Sequence, residues 1–114
     1  MRILRGHVYV VDFNPRVRTK PGKLRPAVVI QDDLVNEAHY PSTIVLPTTT
    51  HLVETESPLR HRLSVGTGGV GRESDVLVGQ AIAVANESFR KELGVLPAET
   101  LEALCEKLRL VMGL

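Results

Sequence analysis

A mainly β chain that ends in one amphipathic helix, an α+β fold built as a small, strongly curved sheet or barrel, is what this sequence predicts. Two observations carry that reading. Short runs rich in Val, Ile, Tyr and Phe recur through the first 85 residues, separated by Pro, Gly, Asn and Asp. Near the end the period changes: Leu101, Leu104, Cys105, Leu108 and Val111 recur at spacings of three and four, one apolar stripe of a helix. A chain of 114 residues fits a single domain, 1–114, with a modest core, and a helix laid on a curved sheet is an economical way to build one.

The elements follow in order. Residues 7–13 form a first strand, ended by Asn14-Pro15 because proline cannot continue a ladder. A basic loop follows, with Pro21-Gly22 as its turn signal. Residues 25–30 form a second strand; its continuous apolar part, 27–30, predicts burial on both faces. Residues 32–38 predict one or two helical turns capped by Asp32 or Asp33. Residues 43–46 read as a buried strand stopped by Pro47, and 60–65 as a half-exposed one. The glycine-rich run 66–71 predicts a turn or hairpin, because it leads into another strand rather than opening a helix as a phosphate loop must. Strands at 75–78 and 81–84 meet near Gly79-Gln80. Asn86 is placed to cap a short helix reaching Lys91 and broken by Gly94. Pro97 suits the first position of the last helix.

Composition narrows the function classes. No apolar run approaches the ~20 residues of a membrane span, and the N-terminus lacks an apolar leader, so a cytoplasmic protein is expected. The single Cys105 fits a reducing compartment and, lying on the apolar stripe, reads as a small buried hydrophobe rather than a nucleophile. His7, His39, His51 and His61 show no helical i, i+4 zinc spacing, and Asp32-Asp33 and Glu54/Glu56 read as a cap and a solvated loop. No metal and no cofactor is expected.

The net charge of +1 hides an asymmetry: residues 1–25 carry +6 and residues 26–114 carry −5. Arg16, Arg18, Lys20, Lys23 and Arg25 lie in ten residues with no acid among them. Such a run is either a solvated loop or a local anion site, phosphate being the obvious anion. Arg25 stands where the basic loop becomes a strand, with Pro26 biasing it towards an extended backbone, so its guanidinium is held for bidentate contact with phosphate or with a nearby acid. Thr48, Thr49 and Thr50 follow the next buried strand, either as turn residues or as hydroxyls donating to a phosphoryl oxygen.

Taken in order along the chain, these segments resemble the MazF/PemK toxins. Arg5-Gly6-His7-Val8-Tyr9 with Asp12-Phe13-Asn14-Pro15 is similar to that family's opening, Arg25-Pro26-Ala27-Val28-Val29-Ile30 to its arginine-proline strand, and Pro47-Thr48-Thr49 to its Pro-x-Thr element. Ser74-Asp75-Val76-Leu77-Val78 with Gln80, then Leu93-Gly94-Val95-Leu96, keep the family order. The resemblance implies a small SH3-like barrel of the MazF/PemK/CcdB kind with a C-terminal helix. It implies a homodimeric toxin that cleaves single-stranded RNA, usually mRNA, at short sequences without a metal, and a cognate antitoxin that occupies the RNA groove. Carried over, Arg25 and Thr49 are the catalytic candidates. Arg16, Arg18, Lys20, Lys23, Thr48, Thr50 and Gln80 are the candidate RNA contacts, and His51 is a candidate proton carrier. Two departures stand out: Arg18-Thr19-Lys20-Pro21 replaces a common Ser-Glu-Gln element, and Gly79 replaces an acid before the glutamine. A gyrase poison of the CcdB kind and an inactive RNA-binding barrel are the alternatives; the few aromatics (Tyr9, Phe13, Tyr40, Phe89) argue against recognition by base stacking.

Overall fold

A computed structural model of the chain describes residues 1–13 and 23–114. Seven strands and two helices are present among them: β1 (His7–Asp12), β2 (Leu24–Val29), α1 (Asp33–Glu37), β3 (Ser42–Thr49), β4 (Arg60–Leu63), β5 (Ser74–Leu77), β6 (Ile82–Ala85), β7 (Phe89–Val95) and α2 (Ala98–Met112). Every pairing is antiparallel, in the order β4-β5-β3-β2-β1-β7, with β6 also on β3. No pairing joins β4 to β7 among the described residues, so the sheet curls in a barrel-like way without closing.

The apolar run in β2 is buried on both faces because the sheet carries a core on each side. Val8, Val28, Ile30, Leu46, Val76 and Leu104 belong to the core under α2. Tyr9, Val11, Ala27, Val29, Val45, Val84 and Phe89 form the other. Successive strand residues point to opposite faces, so neighbours such as Val28 and Val29 enter different cores. The helical stripe is seated by Leu104, fully buried, and by half-buried Leu101 and Leu108, whereas Val111 lies exposed near the helix end. Arg5 joins the parts: its guanidinium donates to Ile30 O and, at 3.1 Å, to Cys105 Sγ, while its amide donates to Asp33 Oδ1. Cys105 is thus half-buried and an acceptor, not a purely apolar filler. Asp32 caps α1 by accepting from the Leu34 amide at 2.8 Å.

Two expectations are corrected. Pro47 does not stop β3, which runs on to Thr49. On one flank β3 pairs with β6 through Val45 and with β5 from Thr48, so the missing N–H of Pro47 falls where the strand changes partner. The second correction concerns residues 86–91, which form no α-helix. Asn86 begins a single 3₁₀ turn, and β7 starts at Phe89. The Asn86 amide instead donates to Tyr40 O, and its carbonyl accepts from Thr43 Oγ1. So short a segment has little helical stability of its own. Pairing with β1, and the edge-on packing of Phe89 against Tyr9 at 5.3 Å, decide its state. Gly94 breaks nothing. A Cβ there would lie 2.9 Å from the Gly68 backbone, so it is glycine because the 66–71 turn crosses directly over β7.

Candidate functional site

The strand register brings Arg25 and Thr49 together. Ala27, Val28 and Val29 of β2 face Pro47, Leu46 and Val45 of β3. Continued by two steps, that register sets Pro26 opposite Thr48 and Arg25 opposite Thr49. The strands are still in contact there, because Thr48 Oγ1 donates to Pro26 O at 2.8 Å. Residues directly opposite each other in an antiparallel pair share a face. The same rule extends the row: Arg25 faces Val11, which faces Phe89, and Thr49 faces Asp75, which faces Arg62. One line therefore crosses the sheet as Phe89, Val11, Arg25, Thr49, Asp75, Arg62. Its Phe89 and Val11 end is buried in an apolar core. Arg25 and Thr49 are its half-exposed middle.

The ion pairs among the described residues do not include Arg25, so the reading of that arginine as a partner for a nearby acid finds no support there. Thr49 Oγ1 accepts from the His51 amide at 3.1 Å. One lone pair of the hydroxyl is thus engaged, and its proton is left to donate elsewhere. An arginine in no ion pair among the described residues, aligned on the continued register with such a hydroxyl, has donors of the kind an oxyanion needs.

The other candidates divide. Thr48 is 2% exposed, and its hydroxyl is spent on Pro26, so it ties β3 to β2. Thr50 is exposed just beyond β3. Lys23 is exposed before β2, where its carbonyl accepts from the Phe13 amide and closes the base of the β1–β2 hairpin. Gln80 is exposed at the end of the 3₁₀ turn Val78–Gln80, and β3 separates that turn from the strand of Arg25. Arg16, Arg18 and Lys20, with both turn signals of the basic loop, lie outside the described residues. His51 is exposed; its backbone contacts Thr49 and Arg60. No cluster of three or more His, Cys, Asp or Glu residues able to hold a metal ion occurs among the described residues. Nor is any described helix long and apolar enough to cross a membrane.

Sequence reasoning missed a polar cluster at the other end of the row. Asp75, 2% exposed, accepts from Arg62 Nε at 2.6 Å and from Arg60 Nη1 at 3.1 Å. Burial alone would raise its pKa, but the two arginines and the Val53 amide outweigh it and hold the carboxyl below its ordinary value. Beside it, Lys107 of α2 lies 3.0 Å from His61 Nδ1 and donates to Arg60 O. Burial and that ammonium push the His61 pKa down, against a weaker upward pull from Asp75. A signal for this cluster was present: Arg60 and Arg62 stand two apart on a strand, hence on one face, and Asp75 stands at the head of the apolar run Val76-Leu77-Val78. A cleft of about 720 Å³ adjoins the cluster and is lined by Glu54, Arg62, Asp75 and Lys107 among others. Arg25 and Thr49, both half-exposed, are not part of its lining.

The fold is shared with known proteins. The curated endoribonuclease EndoA of Bacillus subtilis (strain 168) is 27% identical over 114 residues, spanning 100% of this chain and 97% of that protein. The MazE–MazF crystal structure (Form-II) from Deinococcus radiodurans superposes with a TM-score of 0.81 at 23% identity, over 100% of this chain and 98% of that one. A mycobacterial endoribonuclease solved in complex with its cognate antitoxin superposes with a TM-score of 0.78 at 16% identity, covering 98% of this chain and 96% of that one. The sequence profile of the PemK-like, MazF-like toxins of type II toxin–antitoxin systems matches residues 4–112, and the chain belongs to that family.

Proposed function

We propose that this chain is the toxin of a type II toxin–antitoxin pair and acts in the cytoplasm as a homodimeric endoribonuclease on single-stranded RNA, mRNA above all. What supports this reading is the β2–β3 register, which ends at Ala27 and Pro47 and, continued by two residues, aligns Arg25 with Thr49, while the ion pairs among the described residues leave Arg25 out and Thr49 Oγ1 accepts from the His51 amide. A ribose 2′-OH attacks the adjacent phosphorus, and the P–O5′ bond breaks. The products are a 2′,3′-cyclic phosphate and a 5′-OH, and the 2′-OH proton is balanced by one delivered to the leaving oxygen. Arg25 neutralises the charge that gathers on the non-bridging oxygens, and Thr49 donates to one of them. A guanidinium is a poor base, so the role of Arg25 is electrostatic before it is proton transfer. Lys23, Thr50 and Gln80, with Arg16, Arg18 and Lys20, supply further contacts to the strand; Thr48 contributes by joining β2 to β3. The relatives solved with MazE or with a cognate antitoxin support an antitoxin as the protein partner, and on the family resemblance it covers this face. A gyrase poison of the CcdB kind has no use for the Arg25–Thr49 pair.

The test is incubation of purified protein with a long RNA in EDTA, followed by mapping of the cut ends. Cleavage should persist and leave cyclic phosphate and 5′-OH ends. Loss of cleavage in EDTA with recovery on adding Mg²⁺ would overturn the mechanism.

A further inference from the structure

The Asp75 cluster lies too close to Thr49 to be a remote stabilising pair. Asp75 is the cross-strand partner of Thr49. Its two arginines also grip the segment that follows Thr49: Arg60 Nη1 donates to His51 O at 3.0 Å, and Arg62 Nη2 donates to Val53 O at 2.7 Å. The Val53 amide helps hold the Asp75 carboxyl below its ordinary pKa. The His51 amide held in this way is the group that donates to Thr49 Oγ1 at 3.1 Å. Hydrogen bonds thus run from a buried carboxylate, through two guanidinium groups, to the carbonyls of His51 and Val53, and the residue whose carbonyl Arg60 holds also carries the amide that meets the Thr49 hydroxyl.

We propose that Asp75 is a positioning residue: through Arg60 and Arg62 it fixes residues 51–53, and so aims the Thr49 hydroxyl at the oxyanion. The inference rests on the role given to Thr49 above. Asp75 touches no substrate. Three features favour this over a purely structural ion pair. Both arginines spend donors on loop carbonyls as well as on Asp75. The loop answers at Thr49, whose Oγ1 accepts from the His51 amide. The segment they hold is the first after β3, where a chain without such ties would be free to turn.

The experiment compares single-turnover cleavage of a short synthetic RNA by wild type, Thr49→Ala, Asp75→Asn and the double variant, beside RNA affinity and thermal melting. Asp75→Asn keeps the shape but loses the charge and half of the bidentate grip. It should slow the saturated rate by about 10- to 100-fold, the cost of a small misplacement of a catalytic group, while affinity stays close to that of wild type. In the Thr49→Ala background Asp75→Asn should cost no further rate, because the group it positions is gone. Should Asp75→Asn fail to fold, Arg62→Gln replaces it; that arginine is 37% exposed and its loss leaves Arg60 on the carboxylate. If Thr49→Ala itself cleaves at the wild-type rate, the role of Thr49 fails and this inference with it. If Thr49→Ala is slow but the Asp75 or Arg62 variant is as fast as wild type, or multiplies with Thr49→Ala, the positioning role is overturned while the reaction stands.

Discussion

Three consecutive threonines, 48 to 50, have the same chemistry and different fates, and the pleat of β3 sorts them. Thr48 points to one face and is consumed by Pro26; Thr49 points to the other, the side on which the β2–β3 register, continued beyond Ala27 and Pro47, brings Arg25. The sequence showed that hydroxyls follow a buried strand, but not which one faces the arginine, because that depends on pairing with a strand more than twenty residues away. The resemblance to the toxin family, through its Pro-x-Thr spacing, was what singled out Thr49. On this placement Arg25→Ala should slow single-turnover cleavage by roughly 10²–10³, the cost of losing one positioned donor, with folding retained. Thr49→Ala should cost less if Arg25 also assists the proton; a fully active Arg25→Ala protein sinks the assignment. His61 permits a prediction that does not involve the reaction. Its folded pKa lies below the unfolded value, so the fold favours the neutral ring. The stability this contributes is complete above the unfolded value of about 6.5 and drains away as pH falls through the folded value. The wild-type melting temperature should therefore drop between about pH 7 and pH 5, and His61→Gln should flatten that drop. Asp75, also depressed, acts in the same direction but at lower pH, below the ordinary carboxylate value, so the two effects separate on the pH axis.

At the level of elements, the strands were legible wherever apolar runs were bounded by turn residues, and α2 wherever its stripe repeated. What failed was the segment from Asn86 to Val95. Its residues suit a capped helix as well as an edge strand, and three consecutive exposed residues, Arg90, Lys91 and Glu92, give no period of two to read. Pairing with β1 supplied the missing information. Gly94 was misjudged for a related reason: a glycine that breaks a helix and one that admits a crossing backbone look the same in a sequence. The two roles part under substitution. Gly94→Val should wedge the 66–71 turn away from β7 and cost about 1–3 kcal/mol. Gly71→Ala, where a Cβ meets nothing within 4 Å, should stay within about 0.5 kcal/mol of wild type. Paired urea melts read the difference, and a Gly94→Val protein as stable as wild type would mean that the crossing is loose.

For the molecule as a whole, charge is distributed by position along the chain. The +6 of residues 1–25 and the −5 of the remainder could be read directly, as could the order of family motifs. How far the sheet would close could not, since curvature depends on where β3 exchanges one neighbour for another. Loop cations that touch phosphate as diffuse charge govern affinity rather than the chemical step. Changing Arg16, Arg18 and Lys20 together to Gln should flatten the slope of log K against log salt by up to about 2 units, at about 0.7 per phosphate on a single strand. The saturated cleavage rate should move by less than about tenfold, because Arg25 and Thr49 are kept. An unchanged slope would return the basic run to an ordinary solvated loop.

The pairing of β1 with β7 sets a timetable. A ribosome delivers this chain from its first residue, and β1, β2 and β3 are all made by Thr49, so Arg25 and Thr49 have their strands early. Yet the outer flank of β1 waits for residues 89–95, and the ring of Tyr9 waits for Phe89. Until then one of the two cores lacks a wall, and the first strand exposes a bare edge of unpaired N–H and C=O groups. The nascent chain holds Arg25 and Thr49 before it holds the scaffold that makes their strands rigid, and a product truncated upstream of β7 lacks that scaffold. Rigid support for β1 and its core therefore comes only once residues 89–95 have been made.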